Sequence, residues 1–379
     1  MKNKTRKIIQ IILSFLLFLL FLGLGEAQKV KTVDGVIITS NGKKPNPQKD
    51  VPSKIRLEED FTIGAGDDPD KSFSEVSSFE VDDNGTIYAL DFKDVKIKIF
   101  DKTGKFVTLF GEKGQGPGEF DMPAGIHFSP DDELVIEDAL GRKLVFFDKK
   151  GNFIKNISLA DKLGVVNILM DLEGGFIARE MGFEQNQMFF EMKKYDRGFM
   201  PLFTLDKIEF SIPIPGSGNK VNIMDIMAVY QFDNEGNIFY GRNLKYEIKV
   251  LTPDGKHIRS IQREFDPVKI TEEDIEKMLK LVQNTGVGNI QDMFKFPKTF
   301  PPYQFFTLDE EGRLFVRTWE KGKIEDEFAI DVFDVEGRYI EKFETKADIR
   351  LWKDGKMYAV VEDDEGFRVI KRYSVFWEK

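Results

Sequence analysis

FGEKGQGPGEFDMPAGIHFSPDDELVIEDALGRKLVFFDKKGNFI, residues 110–154, is the stretch from which the fold is read. Its glycine-rich start, Gly111 to Phe120, is either a phosphate-holding loop or a chain connection. A nucleotide loop delivers the phosphate to the N-terminus of a helix that follows at once. Here Pro117 and Pro123 bracket the site and the strand pattern Gly125-Ile126-His127-Phe128 follows, so the loop turns the chain. The remainder is short apolar runs punctuated by Asp and Gly, the signature of antiparallel hairpins.

The stretch is a repeat. Shifted by 47 residues, the chain matches itself without gaps from about residue 63 to 107: Gly64 falls on Gly111, Phe73 on Phe120, Asp91 on Asp138, Lys96 on Lys143, and Phe100-Asp101 on Phe147-Asp148. Each unit reads as four strands with a tight Asp/Asn/Gly turn after the first and a D-x-x-G turn after the third. First turns fall at Gly85, Asp132, Gly174, Gly236, Gly312 and Gly355, but only five second turns follow, because the chain ends one strand short. Residues 55–64, IRLEEDFTIG, resemble a fourth strand and stand just before the first unit. Pairing that strand with the last unit closes the ring and removes two exposed edges. The expected fold is all-β: a six-bladed β-propeller of four-stranded antiparallel blades over residues 54–379, with Phe73 and Phe120 plugging the gaps between blades.

The 110–154 unit resembles an NHL repeat, and the chain resembles the exported bacterial six-bladed propellers of that superfamily. The likeness is close over residues 54–155 and rests on turn positions and strand patterns beyond. In that family GxGPGxF connects blades. The superfamily includes binding modules, lactonase-like metal hydrolases and lyases, so the resemblance implies the fold and leaves the function open.

Residues 1–27 read as a signal peptide: Lys2, Lys4, Arg6 and Lys7 precede an apolar run from Ile8 to Leu24, and Gly25-Glu26-Ala27 is a small-x-small cleavage site. Left uncleaved, this segment would be the chain's only tie to a membrane. Residues 28–53 form an N-terminal extension. Without residues 1–27 the chain carries 51 basic and 64 acidic residues, a balance unsuited to nucleic acid. There is no Cys, so stability in an oxidising compartment rests on packing alone.

Long segments collect on one face of the disc: 179–188, 208–225 and about 264–303. The last carries a helix that Thr271 caps, with Asp274 reaching back and Ile275, Met278, Leu279 and Val282 as its apolar stripe. Long insertions on a rigid scaffold are where function concentrates.

With two histidines in all, His127 and His257, a His-rich catalytic centre cannot be assembled. His257, in the TPDGKH turn, is expected to be exposed. Five positions before each first turn stand Glu80, His127, Leu169, Gln231, Thr307 and Arg350, each between apolar neighbours, and alternation assigns them to the central channel. The ends of the second strands supply a second ring at the mouth: Asp91, Glu137, Asp138, Arg179, Glu180, Arg242 and Arg317. Arginine forks suit planar carboxylates, while the same rings also serve as wet channel lining and cross-blade ion pairs. The expectation is an exported, noncatalytic, monomeric binding or scaffold protein without a cofactor. Its ligand would be a carboxylate-bearing small molecule, a glycan, a peptide or an envelope protein. The alternative is a metal-dependent hydrolase or lyase holding calcium or another divalent cation on Glu80, Asp91 and Asp138. Most acidic clusters sit in tight turns, where Asp and Gly serve the backbone.

Overall fold

The computed structural model describes residues 28–162, 164–184, 187–211, 218–242, 244–283 and 293–379, with the side chains of 281–283 excepted. Residues 1–27, expected to be a signal peptide, residues 212–217 of the second insertion and residues 284–292 of the third lie outside the described residues.

Six sheets form the blades of a β-propeller. The first strands of blades 1 to 6 are Val76–Val81, Pro123–Phe128, Val166–Met170, Ala228–Phe232, Tyr303–Leu308 and Asp348–Lys353. Each pairs antiparallel with the next strand of its blade. One turn chemistry builds most of the hairpins. Asp82 Oδ1 accepts from the amides of Asn84 and Thr86, and Gly85 takes φ +80°. Asp148, Asp171, Asp233, Asp309, Asp334 and Asp363 repeat this grip on the amides two and four residues on. The acidic turns therefore spend their carboxylates on their own backbone.

Blade 6 is completed from the other end of the chain, where Lys54–Ile63 pairs antiparallel with Arg368–Glu378. Ile63 and Phe73 join Phe79 and Val81 of blade 1 and Tyr358, Val360 and Ile370 of blade 6 in one buried cluster. Phe120 is fully buried between blades 1 and 2, against Leu90, Ile97, Ile126 and Phe147. Burying such a ring contributes on the order of 1.5–3 kcal/mol. The loop before it is a connection: Lys143 donates to Glu119 O at 2.9 Å and Lys96 to Gly111 O at 2.6 Å.

Two features extend the plain ring. Lys29–Val33 and Val36–Asn41 form a hairpin that adds to blade 4, pairing parallel with His257–Arg263. Asn41 fastens it across to blade 5, donating to Gly337 O at 3.0 Å and accepting from Tyr339 N at 2.9 Å. Blade 3 grows upward: Phe176–Glu184, Gln187–Tyr195 and Pro201–Ser211 are twice as long as the strands of blade 1, so 179–184 and 208–211, read from sequence as loop, are strand. Their alternating apolar and charged residues suit an extended sheet. The helix, Glu272–Gln283, opens as expected, with Thr271 and Asp274 bonding each other's backbone amides, and Leu279 is buried.

Candidate functional site

Cross-strand register aligns the blades residue by residue. The positions expected at the channel are Glu80, His127, Leu169, Gln231, Thr307 and, by register, Leu351, opposite Tyr88, Val135, Ile177, Phe239, Phe315 and Tyr358; of these Leu169 and Leu351 pack into the clusters between blades. Blade 6 departs from the sequence reading by one residue. Its first turn, Asp354-Gly355, has both residues at positive φ and joins Lys353 directly to Lys356. This two-residue hairpin is shorter than the first turns of the other blades, which an Asp anchors in blades 1, 3, 4 and 5 and Ser129 anchors in blade 2. Arg350 therefore falls in the strand's bulge, exposed and paired with Asp348, and Leu351 takes the channel position.

Two residues further along the second strands stand Leu90, Glu137, Arg179, Gly241, Arg317 and Val360. Asp91, Asp138, Glu180 and Arg242 come one residue later, so alternation sends them to the opposite sheet face. The mouth ring expected from sequence is thus two sets.

The second set is committed to structure. Asp91 is fully buried and accepts from Ser74 N, Glu75 N and Lys98 Nζ at 2.8, 3.0 and 3.0 Å. Asp138 accepts from the amides of Asp121, Met122 and Gly141. Glu180 accepts from Lys193 Nζ at 3.0 Å and the Tyr195 hydroxyl at 2.7 Å. Arg242 stands 3.7 Å from Asp206 in a cavity of about 360 Å³ between the outer parts of blades 3 and 4. His257 lines the same cavity, half-buried and not exposed as expected, because its Nε2 is bonded to Arg259 O at 2.8 Å. Another cavity, about 650 Å³, lies on blade 4 beside the N-terminal hairpin and Arg263, again away from the channel.

The first set faces the next blade. Glu137, 4 % exposed, accepts from Ile168 N at 3.2 Å, and its Oε1 has no hydrogen-bond partner among the described residues. Burial raises its pKa, opposed by the Ile168 amide, by His127 and by the Asn167 amide. Gly125 lies beside it, where a Cβ would sit in ordinary contact, 3.5 Å from both Glu137 Oε2 and His127 Nε2. His127 Nδ1 in turn lies 3.6 Å from Glu80 Oε1. Arg317, 9 % exposed, donates to Ala347 O at 3.0 Å, and its Cζ lies 4.5 Å from the centre of the Phe328 ring. Arg179 lies with its Cζ 4.4 Å from the centre of the Phe190 ring. Neither guanidinium has an ion pair or an Nε partner among the described residues, and burial lowers the pKa of both. Of the remaining channel residues, Thr307 accepts from Trp352 Nε1 at 3.1 Å, and Gln231 and Leu169 are half-buried.

Sequence reasoning missed Tyr230, which it assigned to the apolar packing between blades. Its ring does pack there, but its hydroxyl donates to Asn167 O. Among the described residues no three His, Asp or Glu side chains converge as metal ligands do. The alternative trio Glu80, Asp91 and Asp138 is not gathered.

A family model described as a six-bladed β-propeller, DUF5128, matches residues 69–287, more than half of the chain, and the chain belongs to that family. A candidate exported protein from Bacteroides fragilis superposes with a TM-score of 0.56 at 15% identity, over 90% of this chain and 100% of that one. A DUF4221 family member from Bacteroides vulgatus superposes at 0.52 with 13% identity, over 86% and 100%. These likenesses speak for the fold. No curated protein sequence matches the chain.

Proposed function

We propose that this member of the DUF5128 propellers is an exported, noncatalytic binding protein that holds a carboxylate-bearing ligand at the insertion-face mouth of its channel. One observation carries the reading: Arg179, half-buried, and Arg317, 9 % exposed, stand at equivalent positions of blades 3 and 5 with no carboxylate within ion-pair distance among the described residues, Asp348 acting on Arg317 only from farther off. Elsewhere in the molecule the buried Arg263 has its counter-ion, Asp331, at 2.8 Å. A guanidinium drawn partly out of water without a close anion is destabilised, and stacking on a phenyl ring offsets about 0.5–2 kcal/mol of that. A ligand carboxylate would supply the missing anion in the bidentate geometry that arginine favours. The leader pattern of residues 1–27 supports export of the propeller to the periplasm or cell exterior. Against catalysis stand the commitment of Asp91 and Asp138 to backbone amides and the dispersal of the acidic trio.

Native mass spectrometry of the protein purified from its host envelope without chelator tests the reading. A bound organic mass lost on Arg179→Gln or Arg317→Gln supports it. A bare chain under conditions that preserve weak complexes overturns it, and a bound metal lost on Glu80→Ala would restore the hydrolase alternative.

A further inference from the structure

The upward growth of blade 3 has two unlike faces. Cross-strand register places Glu180, Glu191 and Lys207 in one row and Gly182, Phe189 and Glu209 in another on the same side. Salt bridges Lys193–Glu180 at 3.0 Å and Lys207–Glu184 at 3.0 Å run across it, so that side is a solvated face.

The opposite side carries the row Arg179, Met192 and Asp206, then Met181, Phe190 and Ile208, then Phe183, Met188 and Phe210. Its base is packed: Met192 and Ile208 are buried in the cluster shared with Tyr230 and Tyr240 of blade 4. Its upper part is not, for Phe183 is 57 % exposed and Met181, Met188 and Phe210 are each partly open. Phe190 and Phe210 stand 5.0 Å apart, and Phe190 lies under the Arg179 guanidinium. An unpaired cation thus stands at the foot of an apolar strip. Four residue steps separate Arg179 from Phe183, roughly 13 Å at about 3.3 Å per residue.

We infer that the ligand is an amphipathic carboxylate whose acid group pairs with Arg179 and whose apolar chain lies along Met181, Phe183, Met188 and Phe210. This inference rests on the carboxylate reading above and adds the chemistry of the other end. A free sugar acid or a short polar acid would leave the strip uncovered, and a neutral lipid would leave Arg179 without its anion. The adaptable thioethers of Met181 and Met188 suit a flexible chain.

Calorimetric titration with octanoate, acetate and 1-octanol separates the two ends. Octanoate is expected to bind at least tenfold more tightly than either of the others, and Arg179→Gln and Phe183→Asp are each expected to weaken it at least tenfold. Phe183 is largely exposed, so its substitution leaves the fold intact, which circular dichroism checks. Equal affinity for acetate and octanoate, with sensitivity to Arg179→Gln alone, overturns the strip while sparing the carboxylate reading. Equal affinity for 1-octanol and octanoate overturns the pairing with Arg179, and no binding of any of the three overturns both.

Discussion

Glu137 of blade 2 and Tyr230 of blade 4 hold opposite sides of one peptide unit in blade 3. The Tyr230 hydroxyl donates to Asn167 O, and Ile168 N, across the same peptide bond, donates to Glu137. Asn167 sits at φ +56° in the bulge that opens the strand. Three blades are thereby tied through one amide. Tyr230→Phe removes the donor from the carbonyl of Asn167, an exposed residue, and is expected to cost about 0.5–1.5 kcal/mol, and Glu137→Ala, at a buried carboxylate, about 1–3 kcal/mol. Because both act on one peptide, the double variant should lose less than the two single losses added together. Urea midpoints of the four proteins check this, and strict additivity would show that the two contacts are independent.

The same carboxylate makes a pH prediction. Burial raises the pKa of Glu137 in the folded state, so between the unfolded value, about 4.3, and the raised one, the folded protein binds more protons. Stability contributed by this group is present below the unfolded pKa and is lost as pH rises through the folded one. Glu137→Gln, which cannot ionise and keeps an acceptor for Ile168 N, should gain stability relative to the parent as pH is raised across that window. Unfolding curves for both proteins at several pH values test it; a constant difference would place the charge in a solvated site.

Much of this was legible in the chain. The ring of six blades follows from the 47-residue offset and the recurring Asp/Gly turns, and the closing strand from the missing fourth strand of the last unit. What failed was register and facing. Blade 6 shifted by one because Asp354-Gly355 makes a two-residue turn, and a one-residue shift moves every side chain to the other face. Asp91 and Asp138 look like mouth residues until their bonds to loop amides are seen, since sequence shows a charge and not what it faces. Tyr230 is indistinguishable from a core ring in an alternating pattern. The amphipathic growth of blade 3 was hidden because its 179–188 stretch mixes Gly and Gln with Phe and Met and lacks the Asp turn of the other hairpins.

Asp91 and Asp138 occupy the same position in consecutive blades yet differ in partner. Lys98, itself buried, donates to Asp91 at 3.0 Å, whereas Lys143 stands 3.8 Å from Asp138 and gives its bond to Glu119 O. Breaking a buried ion pair costs about 3–5 kcal/mol, and weakening a carboxylate's bonds to backbone amides about 1–2 kcal/mol. Asp91→Asn should therefore destabilise more than Asp138→Asn, as read from urea midpoints. Metal content measured on both variants should match the parent; a loss would show that these carboxylates hold a cation after all.

The two N-terminal pieces should fail differently when removed. Lys54–Ile63 supplies the outer strand of blade 6 and covers Tyr358 and Ile370 through Ile63, so deleting residues 28–63 leaves the ring open at a long apolar edge. Such an edge invites pairing with other chains, and the truncated protein is expected to aggregate or stay unfolded. Deleting residues 28–46 removes only the hairpin that lies outside a complete four-stranded blade 4, together with the bonds of Asn41 to Gly337 and Tyr339. That protein should stay folded and elute like the parent, with a lower melting temperature, because the blade's own ladder from Ala228 to Arg263 is untouched. Size-exclusion chromatography and thermal melts of both truncations decide the matter. A folded monomer lacking residues 28–63 would mean that the ring does not depend on its N-terminal closing strand.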